Sequence, residues 1–216
     1  MERKTKIALG LGAVALFMLW RARKSVQILG QAFKPNSNEH EPWSGIILGS
    51  GPATIGLGGC ILTSITMAFN TLQNMTGENA LTPDAANSII KQAGGFVGDM
   101  MIIEKGANAL GLDMPAKVAN ATPSSTHMAQ MRALLDDTLA KGGVALLRVN
   151  HNVNMNPAGH HTILVHGKSG SGYVAADPAL ARDVVVDANL TSNAGTEWDT
   201  HVPYVAVGVA ALFAVA

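Results

Sequence analysis

The sequence predicts an α+β domain with helices in its first half and an antiparallel sheet built mainly from its second half. Apolar residues recur at helical spacing in three segments before residue 142, whereas the apolar runs after residue 143 are short and rich in β-branched residues. Helices followed by strands favour an α+β arrangement over a parallel, doubly wound sheet. The chain of 216 residues is long enough for one such domain with appended ends.

The N-terminal segment 1–24 predicts a membrane anchor. Its uncharged apolar block, residues 7–20, is flanked on both sides by Arg and Lys. A full span takes roughly 20 residues, and no small-residue cleavage site follows the block, so an uncleaved anchor with snorkelling basic ends is favoured over a signal peptide. The basic residues are nearly balanced and predict no orientation. A hydrophobic helix buried against the domain or a partner is the alternative.

The segment 25–42 is polar and contains prolines, which is typical of a linker. The folded domain is therefore expected at 43–202. The remaining segment, 203–216, is uncharged, and its β-branched start predicts a C-terminal strand that closes the core sheet. It is short for a second membrane contact.

Three helices and four further strands are predicted within the domain. Thr82 or Asp84 caps the second helix, Pro83 suits an early helical position, and Gly94 ends it. The helices are expected at 60–73, 82–93 and 125–141, and the strands at 144–149, 161–167, 172–177 and 183–187.

The charge balance argues against a nucleic-acid partner. The chain carries 15 Lys and Arg against 15 Asp and Glu. Binding to phosphates needs a basic excess, and the composition has none.

Cys60 is the only cysteine of the chain and lies where a glycine-rich stretch leads into the first predicted helix. The first amides of a helix carry partial positive charge, which stabilises a thiolate. Gly58 and Gly59 carry no side chains and would let a substrate backbone approach the thiol. A lone cysteine cannot form an internal disulfide. The alternative interpretation is a free cysteine that fills a small apolar site in the core.

The segment 159–179 predicts a β-hairpin with a three-residue turn at 168–170. This register places His161 directly opposite Asp177. Opposed residues have Cβ atoms about 5 Å apart, which is close enough for an imidazole N–H to reach a carboxylate. A carboxylate in this position holds a catalytic base in one tautomer. A two-residue turn would instead set His161 opposite Pro178, so the prediction depends on the turn.

The neighbouring histidines compete with His161 for the role of base. Alternation places His160 and His166 on the other face of the strand, so only His161 shares a face with Asp177. His160 is expected to contact substrate.

Four histidines lie within 16 residues, which raises the possibility of metal-assisted hydrolysis; they are His151, His160, His161 and His166. Their spacing is unlike that of zinc sites, and alternation divides them between two faces. The sequence therefore predicts no metal site and no cofactor.

Four stretches together resemble papain-like cysteine peptidases of the bacteriocin-processing, double-glycine-leader type, in their phage and bacterial forms. They are "LGSGPATIGLGGCILTSITMAF", "LTPDAANSIIKQAGGF", "LAKGGVALLRV" and "HTILVHGKSGSGYVAADP". The similarity spans about residues 42–180, and the motifs occur in the expected order. The Gly-Cys-x-x-Thr-Ser-x-x-Met stretch and the His…Asp-Pro hairpin are specific in combination.

The resemblance implies a papain-like fold in which Cys60 is the nucleophile on a central helix. It implies that His161 is the general base and that Asp177 orients it. Peptidases of this type usually carry an oxyanion-binding glutamine six residues before the cysteine, where this chain has Thr54. Losing one oxyanion donor costs about 100- to 1000-fold in rate. The Cys60 backbone amide, with Thr54, is the expected replacement.

The resemblance implies hydrolysis of peptide bonds through a thioester, with peptidoglycan stem peptides or a protein or leader peptide as substrate. The alternative is a catalytically weak or inactive domain that binds peptide or forms a structural part of a membrane-associated assembly, such as a phage virion. Either function would be located at a bacterial envelope or in a virion.

Overall fold

The structure, a computed structural model, describes residues 41–119, 124–150, 160–196 and 203–215. The predicted anchor and nearly all of the predicted linker lie outside these ranges and stay predictions. Within the described ranges, no helix combines the length and the apolar character that crossing a bilayer requires.

The described residues form five α-helices, of which three were predicted to within two residues at each end. The predicted helices are longer than the other two, so their apolar spacing is visible in the sequence. The helices are α1 (Ile55–Gly58), α2 (Cys60–Leu72), α3 (Pro83–Gln92), α4 (Ile103–Ala109) and α5 (Ser125–Ala140). Helix α3 begins at Pro83, where a missing backbone N–H costs nothing, and Gly94 follows its end with φ +69°.

The strands form a large antiparallel sheet and a separate two-stranded ribbon, β1–β2. The fold is therefore α+β, as the sequence predicts. The strands are β1 (Phe96–Val97), β2 (Met100–Met101), β3 (Leu112–Asp113), β4 (Lys117–Val118), β5 (Val144–Asn150), β6 (His160–Ser169), β7 (Gly172–Asp177), β8 (Arg182–Val186), β9 (Thr191–Ser192) and β10 (Tyr204–Ala214).

The C-terminal apolar segment forms a central strand of the sheet. Strand order is β3-β10-β5-β6-β7-β8, and β10 also pairs with β4 and β9. A turn at 187–190 links β8 to β9, so the sheet curls back toward β10. This curl brings Tyr204, at the start of β10, close to the end of β7.

Two apolar clusters lie on opposite faces of the sheet. Helix α2 packs on one face, where Leu62 and Ile65 meet Leu146 and Leu164. Helix α5 packs on the other face, in a cluster that includes Met131 and Leu135. Burial of these apolar side chains is the main stabilisation of the layers.

The prediction of a three-residue turn in the β6–β7 hairpin is wrong, and so is the strand register that depends on it. Ser169 pairs with Gly172, so the turn has two residues rather than three, and Gly170 takes a left-handed conformation with φ +55°. A bulge between Val165 and Gly167 then shifts the pairing by one residue. Because side chains alternate between faces, this one-residue shift returns His161 to the face of Asp177. Asp177 lies diagonal to His161 instead of directly opposite.

Candidate active site

The thiol of Cys60 lies on the first residue of α2, but the loop predicted before it is a helical turn, α1. Gly59 joins the two helices and is buried. A Cβ atom at this position would lie 2.4 Å from the carbonyl oxygen of Ile55. Glycine is therefore required for the close turn that directs Cys60, which gives it a structural role apart from the predicted contact with substrate.

Helix α2 is joined to β6 by a buried hydrogen bond. The hydroxyl of Ser64 donates to the carbonyl oxygen of Thr162 over 3.0 Å. The backbone amide of Thr162 also donates a hydrogen bond to the Cys60 sulfur. These contacts fix the N-terminal turn of α2 against the strand that carries His161.

His161 and Asp177 are in direct contact, although not through the predicted register. Nε2 of His161 lies 2.8 Å from Oδ1 of Asp177, and both side chains are fully buried. Diagonal residues of neighbouring strands are within reach of long side chains, which explains how the pair forms. His161 also interacts with the thiol of Cys60, and this interaction raises the pKa of the imidazole. Since Nε2 faces Asp177, Nδ1 is the ring nitrogen left for the thiol.

Tyr204 supports both residues and was not identified from the sequence. Its hydroxyl donates to Oδ2 of Asp177 over 3.0 Å, and its ring lies tilted against His161 with centroids 5.7 Å apart. The backbone amide of Ala179 donates to Oδ1 of Asp177 over 2.8 Å. A tyrosine in an otherwise apolar strand was the available signal, because a buried hydroxyl needs a partner.

The contacts of Cys60 favour its ionised form. Burial raises the pKa of the thiol, but the hydrogen bond and positive charge of His161, the Thr162 amide and the charge of Arg148 outweigh burial and lower it. Cys60 remains partly exposed to solvent. A thiolate that solvent can reach has the properties of a nucleophile.

The pKa values of His161 and Asp177 are also shifted in the direction that favours their charged forms. Burial lowers the pKa of His161, but its hydrogen bonds to Asp177 and Cys60 prevail and raise the pKa to about 9. Burial raises the pKa of Asp177, and the hydrogen bond and charge of His161 reverse this and lower it. The shifts of all three groups therefore favour a thiolate, an imidazolium and a carboxylate in sequence.

His160 contacts Arg148 on the neighbouring strand β5. Its Nδ1 accepts a hydrogen bond from Nε of Arg148 over 3.0 Å. His160 therefore positions Arg148, which lies beside the site. The predicted contact between His160 and substrate stays a prediction.

Thr54 precedes α1 in an extended conformation with φ −96° and ψ 165°, and its hydroxyl does not cap that helix. Its backbone pairs with Ile47 in an isolated bridge. Gly58 is exposed, and a Cβ atom there would lie 3.3 Å from Cδ2 of Leu48. The predicted roles of Thr54 in oxyanion binding and of Gly58 in substrate binding stay predictions.

The remaining histidines of the predicted cluster do not converge. His166 bonds Asp183 through Nε2 over 3.0 Å, and His151 lies outside the described residues. In the part of the chain that the structure describes, no three His, Cys, Asp or Glu side chains are grouped so as to hold a metal ion.

A cavity of about 250 Å³ is lined in part by β6, the strand that carries His161. Thr162, whose amide contacts Cys60, forms part of its wall, and so does Arg148. Other walls come from α4, β4, β5 and β10. The cavity is large enough for one amino-acid side chain.

No protein-family model matches this chain, and no curated protein matches its sequence. The chemistry of the site therefore rests on its own geometry. A thiolate beside a proton donor, with a buried carboxylate behind that donor, can attack a carbonyl carbon and protonate a leaving group.

Proposed function

We propose that this protein is a papain-like cysteine peptidase that hydrolyses peptide bonds with Cys60, His161 and Asp177. The observation that carries the proposal is the chain of interactions from the thiol of Cys60, a partly exposed residue, through a buried imidazole to a buried carboxylate. A structural cysteine in an apolar core would have a raised pKa, whereas the pKa of this thiol is lowered.

In the proposed reaction, the Cys60 thiolate attacks the carbonyl carbon of the scissile bond. The resulting tetrahedral intermediate collapses to a thioester when His161 gives its proton to the leaving amine. His161 then removes a proton from water, which attacks the thioester and releases the second product. Asp177 holds the imidazole in one orientation throughout and stabilises its charged form.

In the proposed reaction, the backbone amide of Cys60 and the Thr54 hydroxyl each donate a hydrogen bond to the developing oxyanion. A hydroxyl has shorter reach than the glutamine amide that peptidases of the resembled type place there. Loss of one oxyanion donor lowers kcat by about 100- to 1000-fold. We therefore expect a slow enzyme.

The proposed substrate is a peptide, either a stem peptide of peptidoglycan or a protein or leader segment. The apolar block at 7–20 supports attachment of the enzyme to a bacterial or virion membrane. No metal or cofactor enters the proposed reaction.

The proposal is tested with purified full-length protein, a peptide library and isolated peptidoglycan. Mass spectrometry of the products is compared for the wild type, Cys60→Ala, and His166→Ala as a control for loss of a histidine outside the site. We expect new peptide termini with the wild type and with His166→Ala, and none with Cys60→Ala. Equal product patterns for the wild type and Cys60→Ala would refute the proposal.

The second candidate is a domain that binds peptides without cleaving them, as a component of a membrane-associated assembly. Thr54, at the position where a glutamine is expected, favours this alternative. Peptides retained by the wild type without cleavage would support it.

A further inference from the structure

Arg148 places a positive charge in the wall of the cavity that Thr162, a neighbour of Cys60, also lines. The residue lies on β5, pairs with Thr162 of β6 and is half-buried. Its charge reaches the site, because it contributes to lowering the pKa of Cys60. The Arg148 guanidinium therefore lines the cavity and also lowers the pKa of the nucleophile.

The other charges of the cavity neutralise each other. Lys117 and Glu104 form an ion pair at its rim. Among the described residues, no carboxylate lies within ion-pair distance of Arg148, whose Nε instead donates to Nδ1 of His160. This contact fixes the guanidinium plane through an imidazole nitrogen, and the carboxylate of the cavity wall, that of Glu104, is already paired with Lys117.

The remaining walls are mainly apolar and come from Ile103, Met114, Val118, Leu146, Val209 and Ala210. A wholly apolar occupant would remove the Arg148 guanidinium from water without a counter-charge, which is costly. A short aliphatic chain ending in a carboxylate would contact the apolar walls and pair with the guanidinium. A glutamate side chain has this chemistry.

We infer that the cavity is a specificity site for an acidic side chain of the substrate, with Arg148 as the residue that selects glutamate. The inference rests on the proposed function, since it assigns the substrate class of the same site. His160 acts as a positioning residue for Arg148. A guanidinium binds a carboxylate with hydrogen bonds that are stronger than those to a neutral amide.

The test uses fluorescent peptides that differ only by Glu, Gln or Leu at one position, scanned over three residues on each side of a central bond. Binding is measured by anisotropy on Cys60→Ala, and hydrolysis on the otherwise unchanged protein. Each is repeated with Arg148→Met and with Arg132→Met. Arg132 is a matched control because its guanidinium bonds the Ala188 carbonyl outside the cavity.

At one position we expect Glu to be preferred over Gln by about tenfold, the difference between a charge-assisted and a neutral hydrogen bond. Arg148→Met should reduce that ratio to near one, while Arg132→Met should leave it unchanged. A ratio cancels any general effect of Arg148 on the thiol. Arg148→Lys retains the charge and should keep part of the preference if Arg148→Met fails to fold.

The outcomes separate this inference from the proposed function. Hydrolysis that depends on Cys60 but shows no preference for Glu, or prefers Leu, overturns the inference and leaves the function standing. Binding of Glu peptides that depends on Arg148, without hydrolysis, supports the inference and refutes the peptidase. A Glu preference that survives Arg148→Met overturns the assignment of Arg148.

Discussion

The hydroxyl of Tyr204 donates a hydrogen bond to Asp177 over 3.0 Å, while the ring of Tyr204 lies against His161. One residue of the C-terminal strand therefore orders both buried partners of the thiol. Asp177 also accepts from the Ala179 amide, so each of its oxygens has a donor. A carboxylate held in this way keeps its charge and its orientation.

Replacing Tyr204 by Phe removes this donor and keeps the ring. Because hydrogen bonds to charged buried groups contribute about 1.5–3 kcal/mol, we expect the free energy of unfolding to fall by about 2 kcal/mol. Tyr173→Phe is the matched control, since the Tyr173 hydroxyl donates to the exposed Asp136. Its loss should be about 1 kcal/mol or less. Equal losses in urea titrations of the two variants would contradict the role given to Tyr204.

Replacing Asp177 by Ala removes the charge that stabilises the imidazolium. The pKa of His161 should be lower in the Cys60→Ala, Asp177→Ala double variant than in Cys60→Ala, because the hydrogen bond and charge of Asp177 raise it, and an NMR titration of the imidazole measures both values. We expect kcat to fall by about 10⁴-fold, the order seen when the orienting acid of a triad is lost. An unchanged pKa of His161 would show that Asp177 does not act on it.

The bond between Ser64 and Thr162 joins the helix of the nucleophile to the strand of the base. Ser64→Ala should lower the free energy of unfolding by about 1–2 kcal/mol, since a buried acceptor loses its donor. Ser88→Ala is the control, because the Ser88 hydroxyl is exposed and bonds only its own helix. Ser64→Ala should also slow hydrolysis, while Ser88→Ala should not. Equal kinetics for the two variants would rule out positioning by Ser64.

The pH dependence of kcat/KM should be bell-shaped. The acid limb follows protonation of the thiolate, and its midpoint lies below that of an ordinary thiol because the pKa of Cys60 is lowered. The alkaline limb follows loss of the imidazolium proton near pH 9. The stability that folding gains from the raised pKa of His161 is fully present below pH 6.5 and is lost as the pH rises through about 9. An alkaline limb near pH 6.5 would contradict the assignment.

Much of the fold was predictable because its longer elements are runs rich in apolar residues bounded by turn residues. Strands β5 to β7 are almost continuously buried, and β8 alternates between buried and exposed positions. Helix α4 has seven residues and includes Gly106, which packs closely against Met101, so neither its length nor its composition indicated a helix. Such short elements are set by tertiary contacts.

Cys60, His161 and Asp177 could be identified from the sequence as residues of the site, but the contacts that bring them together could not. The contact between His161 and Asp177 depends on a two-residue turn and a bulge after Val165, and sequence alternation specifies neither. The contribution of Tyr204 depends on the curl of the sheet, which brings together residues far apart in the chain. Hydrophobic patterning carries no information about such contacts.

His161 lowers the pKa of the Cys60 thiol, and the proposed chemistry depends on the resulting thiolate. The direct measurement is the pH dependence of Cys60 alkylation by iodoacetamide, followed by intact-protein mass spectrometry for the wild type, His161→Ala and His166→Ala. We expect a midpoint well below about 8.5, the pKa of a free thiol, for the wild type and His166→Ala, and a return toward about 8.5 or above for His161→Ala. A wild-type midpoint near 8.5, or one that His161→Ala leaves unchanged, would show that His161 does not activate the thiol.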